Sequence, residues 1–262
     1  MIARQLPARQ GVLWLIGGFM LLRRNPPFIT ALTFAYFLVV ILINLIPTVG
    51  PFLLPLALPV LVVMLANGCR AIEQGRLPGM SVGTALTEGL AAHRLPLMRL
   101  GGVHLLASAV VALVGFGMGT KIDLSDGMNP EEAVALLGDM ALLLAIASPF
   151  LMAFWFAPLL VAWDGVSTGK SVFFSFVASW RNWRPFAVYG LALGLVGIVL
   201  PGLILVIVGA ISTPLLNVLS VVLRMLLLFV LAPVLMASVY LSYRDVFAAA
   251  DIAEPDVVTP DE

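Results

Sequence analysis

The chain reads as an all-α integral membrane protein of six transmembrane helices with amphipathic interfacial helices, set out as three repeats of one interfacial helix plus one transmembrane hairpin. Three observations predict this. Of 262 residues, 61% are hydrophobic and 11% charged, against about 45–50% and about 25% in soluble domains; the mean hydropathy is +1.10. The apolar residues gather into six runs near the roughly 20 residues that a helix needs to cross a bilayer. The basic residues sit almost wholly at one end of those runs. Net charge is zero, so no global basic bias points to nucleic acid.

The opening "MIARQLPARQGVLWLIGGFMLLRRNPP" has the basic-then-apolar form of a signal peptide. Its apolar part is short and runs into Arg23-Arg24 without a small-x-small cleavage site, so it is expected to be retained. Spans are predicted at roughly 28–46, 52–67, 101–119, 140–162, 186–208 and 225–243. Pro47, Gly50 and Pro51 mark a short first turn. The second hairpin carries a longer outer loop, in which Asn129-Pro130-Glu131-Glu132 predicts a helix start with an N-cap, a first-turn proline and a capping glutamate. The stretch 209–243 exceeds one straight span, and 213–224 is expected to lie along the outer interface with Arg224 at its end.

Twelve of the fourteen Lys and Arg residues fall on one side of these spans. Arg4, Arg9, Arg23 and Arg24 precede span one. Arg70, Arg76, Arg94 and Arg99 lie between spans two and three, Lys170, Arg181 and Arg184 between spans four and five, and Arg244 after span six. Lys121 and Arg224 are the exceptions. The positive-inside rule then places both termini in the cytoplasm of a bacterial inner membrane.

The segment "FSFVASWRNWRPFAVYGL" (174–191) crowds Arg, Trp and Pro at the start of span five. Over 170–183, Val172, Phe173, Phe176 and Trp180 share one helical face and Ser171, Ser175, Ser179 and Asn182 another. Such a helix lies in the interface with its apolar face in lipid. Trp180 and Trp183 suit the headgroup level, Arg181 and Arg184 the anionic surface, and Arg23 and Arg24 play the same part earlier. Pro185 is expected to break the helix so that the chain turns into the membrane. Aligning Gly11 with Gly169 brings Arg23 onto Arg181, Pro27 onto Pro185 and Phe28 onto Phe186. A middle version places Val82, Leu86 and Leu90 on one face and Pro96 at the break. The return helices share "LPVLV" (58–62), "APLLV" (157–161) and "APVLM" (232–236), and registering Pro59 on Pro233 sets Arg70 on Arg244. Residues 1–245 are thus expected to form a single polytopic membrane domain with repeat units 10–70, 79–164 and 168–245, and 246–262 an acidic, disordered tail.

Few residues carry chemistry. The lone Cys69 and the two histidines offer no disulfide and no metal cluster, so neither a metal nor any cofactor is expected. "GVSTGKS" (165–171) lacks the first glycine and the strand of a phosphate-binding loop. His104 and Ser108, four apart, suggest an interhelical hydrogen bond more than a nucleophile and base. Arg224 is a candidate lipid or partner contact, and Asp139, at matching depth, its expected internal counterpart. Gly115/Gly119 and Gly190/Gly194 have the spacing for close helix packing, expected within the chain.

"FAPLLVAWDGVSTGKSVFFSFVASWRNWRPFAVYGL" together with "LSYRDVF" (241–247) resembles an uncharacterised family of six-span proteobacterial inner-membrane proteins. The resemblance implies membrane location and architecture and brings no activity, ligand or catalytic residue. The expected function is that of a non-enzymatic accessory, assembly or scaffold subunit of a membrane complex; the alternative is a small transporter or a lipid-binding, lipid-handling protein. Expected partners are anionic lipid headgroups on the cytoplasmic side and other membrane protein subunits, with no nucleic acid.

Overall fold

The computed structural model describes residues 3–118 and 130–247; the outer loop 119–129 and the acidic tail from 248 onward, with the expectations attached to them, lie outside the described residues. Among the described residues the structure is helical and contains no strand. Six helices are long and apolar enough to cross a membrane: Pro26–Asn44, Gly50–Glu73, Arg94–Gly117, Val134–Asp164, Trp183–Ile211 and Thr213–Phe247.

The chain begins with α1 (Gln10–Arg24), then rises and returns as α2 (Pro26–Asn44) and α3 (Gly50–Glu73). The short α4 (Val82–Thr87) leads to α5 (Arg94–Gly117). The second return is split into α6 (Pro130–Trp155) and α7 (Ala157–Asp164). After α8 (Thr168–Arg181), the third hairpin rises as α9 (Trp183–Gly194) and α10 (Leu200–Ile211), joined by a π-helical turn, and returns as α11 (Thr213–Leu226) and α12 (Ala232–Phe247), joined by another. Among the described residues helix α6 runs from Pro130; the Asn129 cap expected before it lies outside them.

Each interfacial helix packs on a return helix: α4 on α3, α8 on α6 and α7, and α1 on α12. The last contact joins the two ends of the chain, where Arg4 N–H donates to the Val246 carbonyl at 2.9 Å. Helices α3 and α12 touch, as do α3 and α7. The core lies where these returns converge, around Val63, Phe156, Leu159, Leu160, Ala237 and Val246, each fully buried. Helix α10 has no buried residue. Tight packing therefore belongs to the end bearing the termini and the arginines, here called the basic face.

All three expected breaks occur, and each falls before its proline. The last non-helical residue is Asn25 (φ −150°, ψ 75°) at the first, His93 (φ −115°, ψ 22°), which ends the turn 88–93, at the second, and Asn182 (φ −105°, ψ 25°) at the third. Pro27, Pro96 and Pro185 then occupy the first turn of the next helix, where a missing N–H leaves no intrahelical bond unmade. The break precedes Pro27 by two residues and the other prolines by three, so the gap-free alignment slips by one residue at the first hinge.

Two further expectations give way. The middle interfacial helix is only six residues long, because the chain turns at Gly89 (φ +79°), whose missing Cβ would stand 2.6 Å from the Ala162 carbonyl oxygen. The stretch 213–224 does not lie flat. A one-residue turn at Ser212, whose hydroxyl caps Leu215 N–H at 3.4 Å, sends it back along α10 and on into α12 as one 35-residue helix. Leucines on α11 pack against α10, with Leu216 3.3 Å from where a Gly209 Cβ would sit.

Candidate functional site

Helix α8 carries its polar face inward. Ser171, Ser175, Ser179 and Asn182 are fully buried, whereas Phe173, Trp180 and Trp183 are 61%, 62% and 54% exposed. The serines serve the break between α6 and α7. Phe156 N–H, which in an unbroken helix would donate to the Met152 carbonyl, donates instead to Ser175 Oγ at 2.9 Å, and Ser175 Oγ–H donates to Met152 O at 2.8 Å. The hydroxyl is thus inserted into the helix ladder, one of the recognised causes of a kink. Ser179 donates to the same carbonyl at 3.2 Å. Backbone groups freed inside a membrane protein must find such partners.

Arg181 and Arg184 are exposed at the α8–α9 break, with the Arg184 guanidinium 5.6 Å above the Trp183 ring. Arg23 and Arg24 are exposed at the end of α1, and Arg24 donates to the Glu73 carbonyl at 3.4 Å. Arg224 is exposed on α11; ion pairs join Arg76 to Glu88 and Arg244 to Glu73 and Asp245. Twenty residues, about 30 Å of helix, separate Arg224 from Arg244, one hydrocarbon thickness. Gly190 and Gly194 meet no neighbour within 4 Å, so the packing expected of them within the chain does not occur.

Where the return helices converge, the basic face holds a polar cup of 350 Å³. Its residues escaped the sequence reading, although "LSYRDVF" was singled out as distinctive. Glu73 accepts from Tyr240 Oη and from Arg244, and Asp164 accepts from Tyr243 Oη. Arg244 also holds Asp245 at 2.7 and 2.9 Å. The second oxygen of Asp245 takes Gln10 Nε2 at 2.7 Å and Trp14 Nε1 at 3.1 Å, binding α12 to α1. Arg70 lies 5.0 Å over the Trp163 ring. Beneath the cup, buried Asn67 accepts from Trp163 Nε1 at 2.8 Å and donates to the Leu86 and Glu88 carbonyls at 2.9 Å, fixing α4 to α3 and α7. Two clues were in the sequence: an asparagine in the apolar second span, and Tyr-Arg-Asp closing the sixth.

A second space, of 640 Å³, lies farther from the basic face among α2, α3, α5, α6, α7 and α12. Its wall is apolar apart from Tyr36, His104 and Ser108. Exposed Ala112 and Leu151 form part of its lining, which joins it to the outer surface of the helices. The hydrogen bond expected of His104 and Ser108 is not made; His104 stacks on Phe154 with centroids 4.5 Å apart. The volume suits a small organic ligand.

Six long apolar helices with their arginines gathered at one face define a polytopic α-helical membrane protein. The chain is 35% identical over 203 residues, 71% of its own length and 73% of the relative's, to a probable inner membrane protein of Burkholderia thailandensis. It belongs to that family and is a multi-pass inner-membrane protein. No family model matches the chain, and no solved structure matches it.

Proposed function

We propose that the protein binds and handles membrane lipid, with its basic face and both termini on the cytoplasmic side. The observation that carries this reading is the 640 Å³ apolar cavity at the level of the spans, lined partly by residues exposed on the bilayer side. An acyl or isoprenoid chain matches such a wall, since it brings no polar group that must be satisfied. Exposed Arg23, Arg24, Arg181 and Arg184 supply a rim that attracts anionic headgroups. No enzymatic step enters this reading.

The test is native mass spectrometry of protein extracted with its surrounding membrane in a mild polymer. The wild type should carry a retained lipid that Ala112→Trp and Ala147→Trp, which fill the cavity, lose. Equal lipid in all three would sink the proposal. For orientation, Arg9→Cys in a Cys69→Ser background should react only with a probe that has entered the cytoplasm; labelling from outside intact spheroplasts would reverse the topology.

A second reading, an accessory or scaffold subunit, is favoured by the third hairpin. Beyond Arg224 it continues for about 17 Å of helix, α10 buries none of its residues, and Asn217 and Arg224 remain exposed. A stoichiometric protein companion in the same spectra would support that reading, and cross-links from Asn217→Cys would locate the contact.

A further inference from the structure

The polar cup at the basic face contains two charges of opposite sign, Arg70 and Asp164, that form no ion pair among the described residues. Arg70 is half-buried and lines the cup, yet its guanidinium reaches no acceptor among the described residues; its contact is the Trp163 ring beneath it. Its counterpart by register, Arg244, is held by both Glu73 and Asp245. Across the cup, Asp164 Oδ2 accepts from Tyr243, while Oδ1 takes no hydrogen bond from the described residues. Arg70 and Asp164 both line the space and attract each other across it, but they do not approach within ion-pair distance, which leaves room for a ligand between them. Glu73 is already covered by Tyr240 and Arg244.

We propose that this cup binds a small zwitterion, an anionic carboxylate or phosphate a few bonds from a primary ammonium, with the anion on Arg70 and the ammonium on Asp164. A plain anion would meet Asp164 and a plain cation would meet Arg70; a ligand with both charges meets each with its opposite. Guanidinium recognises carboxylate and phosphate through paired N–H donors. The aromatic wall of Trp163, Tyr240, Tyr243 and Phe247 supplies apolar contact and excludes water from the charges, and ammonium over such rings gains cation–π attraction. The 350 Å³ cup accommodates a molecule of amino-acid or phosphoethanolamine size.

The cup is separate from the apolar cavity. Between them lie Asn67 and the Leu159–Val161 stretch, all buried to 1% exposure or less, and a ligand enters from the aqueous side. The inference therefore does not rest on the lipid reading, and either can fail alone.

The test is binding to the full-length protein in detergent micelles, followed by isothermal titration calorimetry and by native mass spectrometry. Probes are phosphoethanolamine and a set of L-amino acids, with inorganic phosphate and ethanolamine as single-charge controls. At least one zwitterion should bind saturably and at least about tenfold more tightly than either control. Arg70→Gln and Asp164→Asn should each weaken it by about ten- to a hundredfold, the range for one charged hydrogen bond. Arg70 makes no hydrogen bond among the described residues and Arg70→Gln loses only its contact with the Trp163 ring, so the variant should still melt cooperatively and close to the wild type, which separates lost binding from lost folding. Bilayer nanodiscs with and without phosphatidylethanolamine distinguish the sources: preferential retention of that lipid, abolished by Arg70→Gln, assigns the headgroup rather than a soluble zwitterion. Binding that is equal for phosphate and zwitterion, insensitive to both substitutions, or absent for every probe and in both nanodiscs overturns the proposal.

Discussion

Asn182 grips the backbone at Leu6: its Oδ1 accepts the Leu6 N–H at 2.8 Å, while its Nδ2 donates to the Arg4 carbonyl at 2.9 Å and to Ala178 in its own helix at 2.9 Å. The residue at the third hinge thus straps the N-terminal segment across the basic face, where Arg4 N–H already reaches Val246. Asn182→Ala strands one N–H and removes a donor from two carbonyls. Leaving such groups unsatisfied costs about 1–3 kcal/mol. The thermal midpoint should fall, and protease should cut within residues 3–9 sooner than in the wild type. Asn182→Asp retains the acceptor for Leu6 but turns an acceptor oxygen on the Arg4 and Ala178 carbonyls at a fully buried position, and should suffer at least as much. If Asn182→Ala cleaves at the wild-type rate, the strap does not hold the segment.

The inserted hydroxyl of Ser175 makes a sharper prediction because its neighbour is a built-in control. Ser175→Ala leaves Phe156 N–H without its acceptor and takes one donor from Met152 O, and should destabilise by about 1–2 kcal/mol. Ser171 is as deeply buried, but its hydroxyl only donates to Thr168 in its own helix, at 2.8 Å. Ser171→Ala should therefore stay within about 0.5 kcal/mol of the wild type. Equal effects, read by unfolding in mixed micelles, would show that burial of the serine face matters rather than repair of the break.

The contrast between these serines shows what hydropathy conveys and what it leaves out. The six spans were legible because a bilayer demands long apolar runs whatever they pack against. The two faces of α8 were legible too, since helical period alone separates Ser171, Ser175, Ser179 and Asn182 from Phe173 and Trp180. Their partners were not. In lipid the inside is the place for hydrogen bonds, but a serine stripe does not announce that a break at Phe156, nineteen residues earlier in the chain, will need it. The cup was hidden for a related reason: Arg70, Asp164 and Tyr243 close three different helices, and only their convergence makes one site. The continuous run of 213–247 escaped because its length suggested a turn, while the pairing of α11 with α10 is a tertiary contact.

Glycines separate close packing from open surface in the same way. A Cβ at Gly18 would stand 2.6 Å from the Val234 carbonyl oxygen, so α1 and α12 would have to part. Gly18→Ala should cost about 1–3 kcal/mol, as overpacking does. Gly190→Ala enters space with no atom within 4 Å and should be neutral or slightly stabilising, because alanine favours helix over glycine. A Gly190→Ala variant that loses stability in the isolated protein would point to a packed neighbour on that face. One that melts normally but no longer co-purifies with a companion would support the scaffold reading.

The bond between Trp163 and Asn67 is the keystone beneath the cup and the cleanest place to measure coupling between the return helices. Trp163 Nε1–H is answered by Asn67 Oδ1, and the Asn67 amide passes its donors to the carbonyls of Leu86, in the last turn of α4, and Glu88, just after it. Trp163→Phe removes the indole donor and keeps an aromatic wall. Asn67→Ala removes the acceptor and also releases Leu86 and Glu88. Each single change should destabilise, Asn67→Ala more, because it frees three partners rather than one. In the double variant the lost indole bond is counted only once. The cycle should return a coupling energy of about 0.6–1.7 kcal/mol, the span for interhelical hydrogen bonds in membrane proteins. A coupling near zero would mean that α7 is held by the apolar packing of Leu159, Leu160 and Val161 alone. The position of Asp164 at the cup would then be set by the core and not by the asparagine.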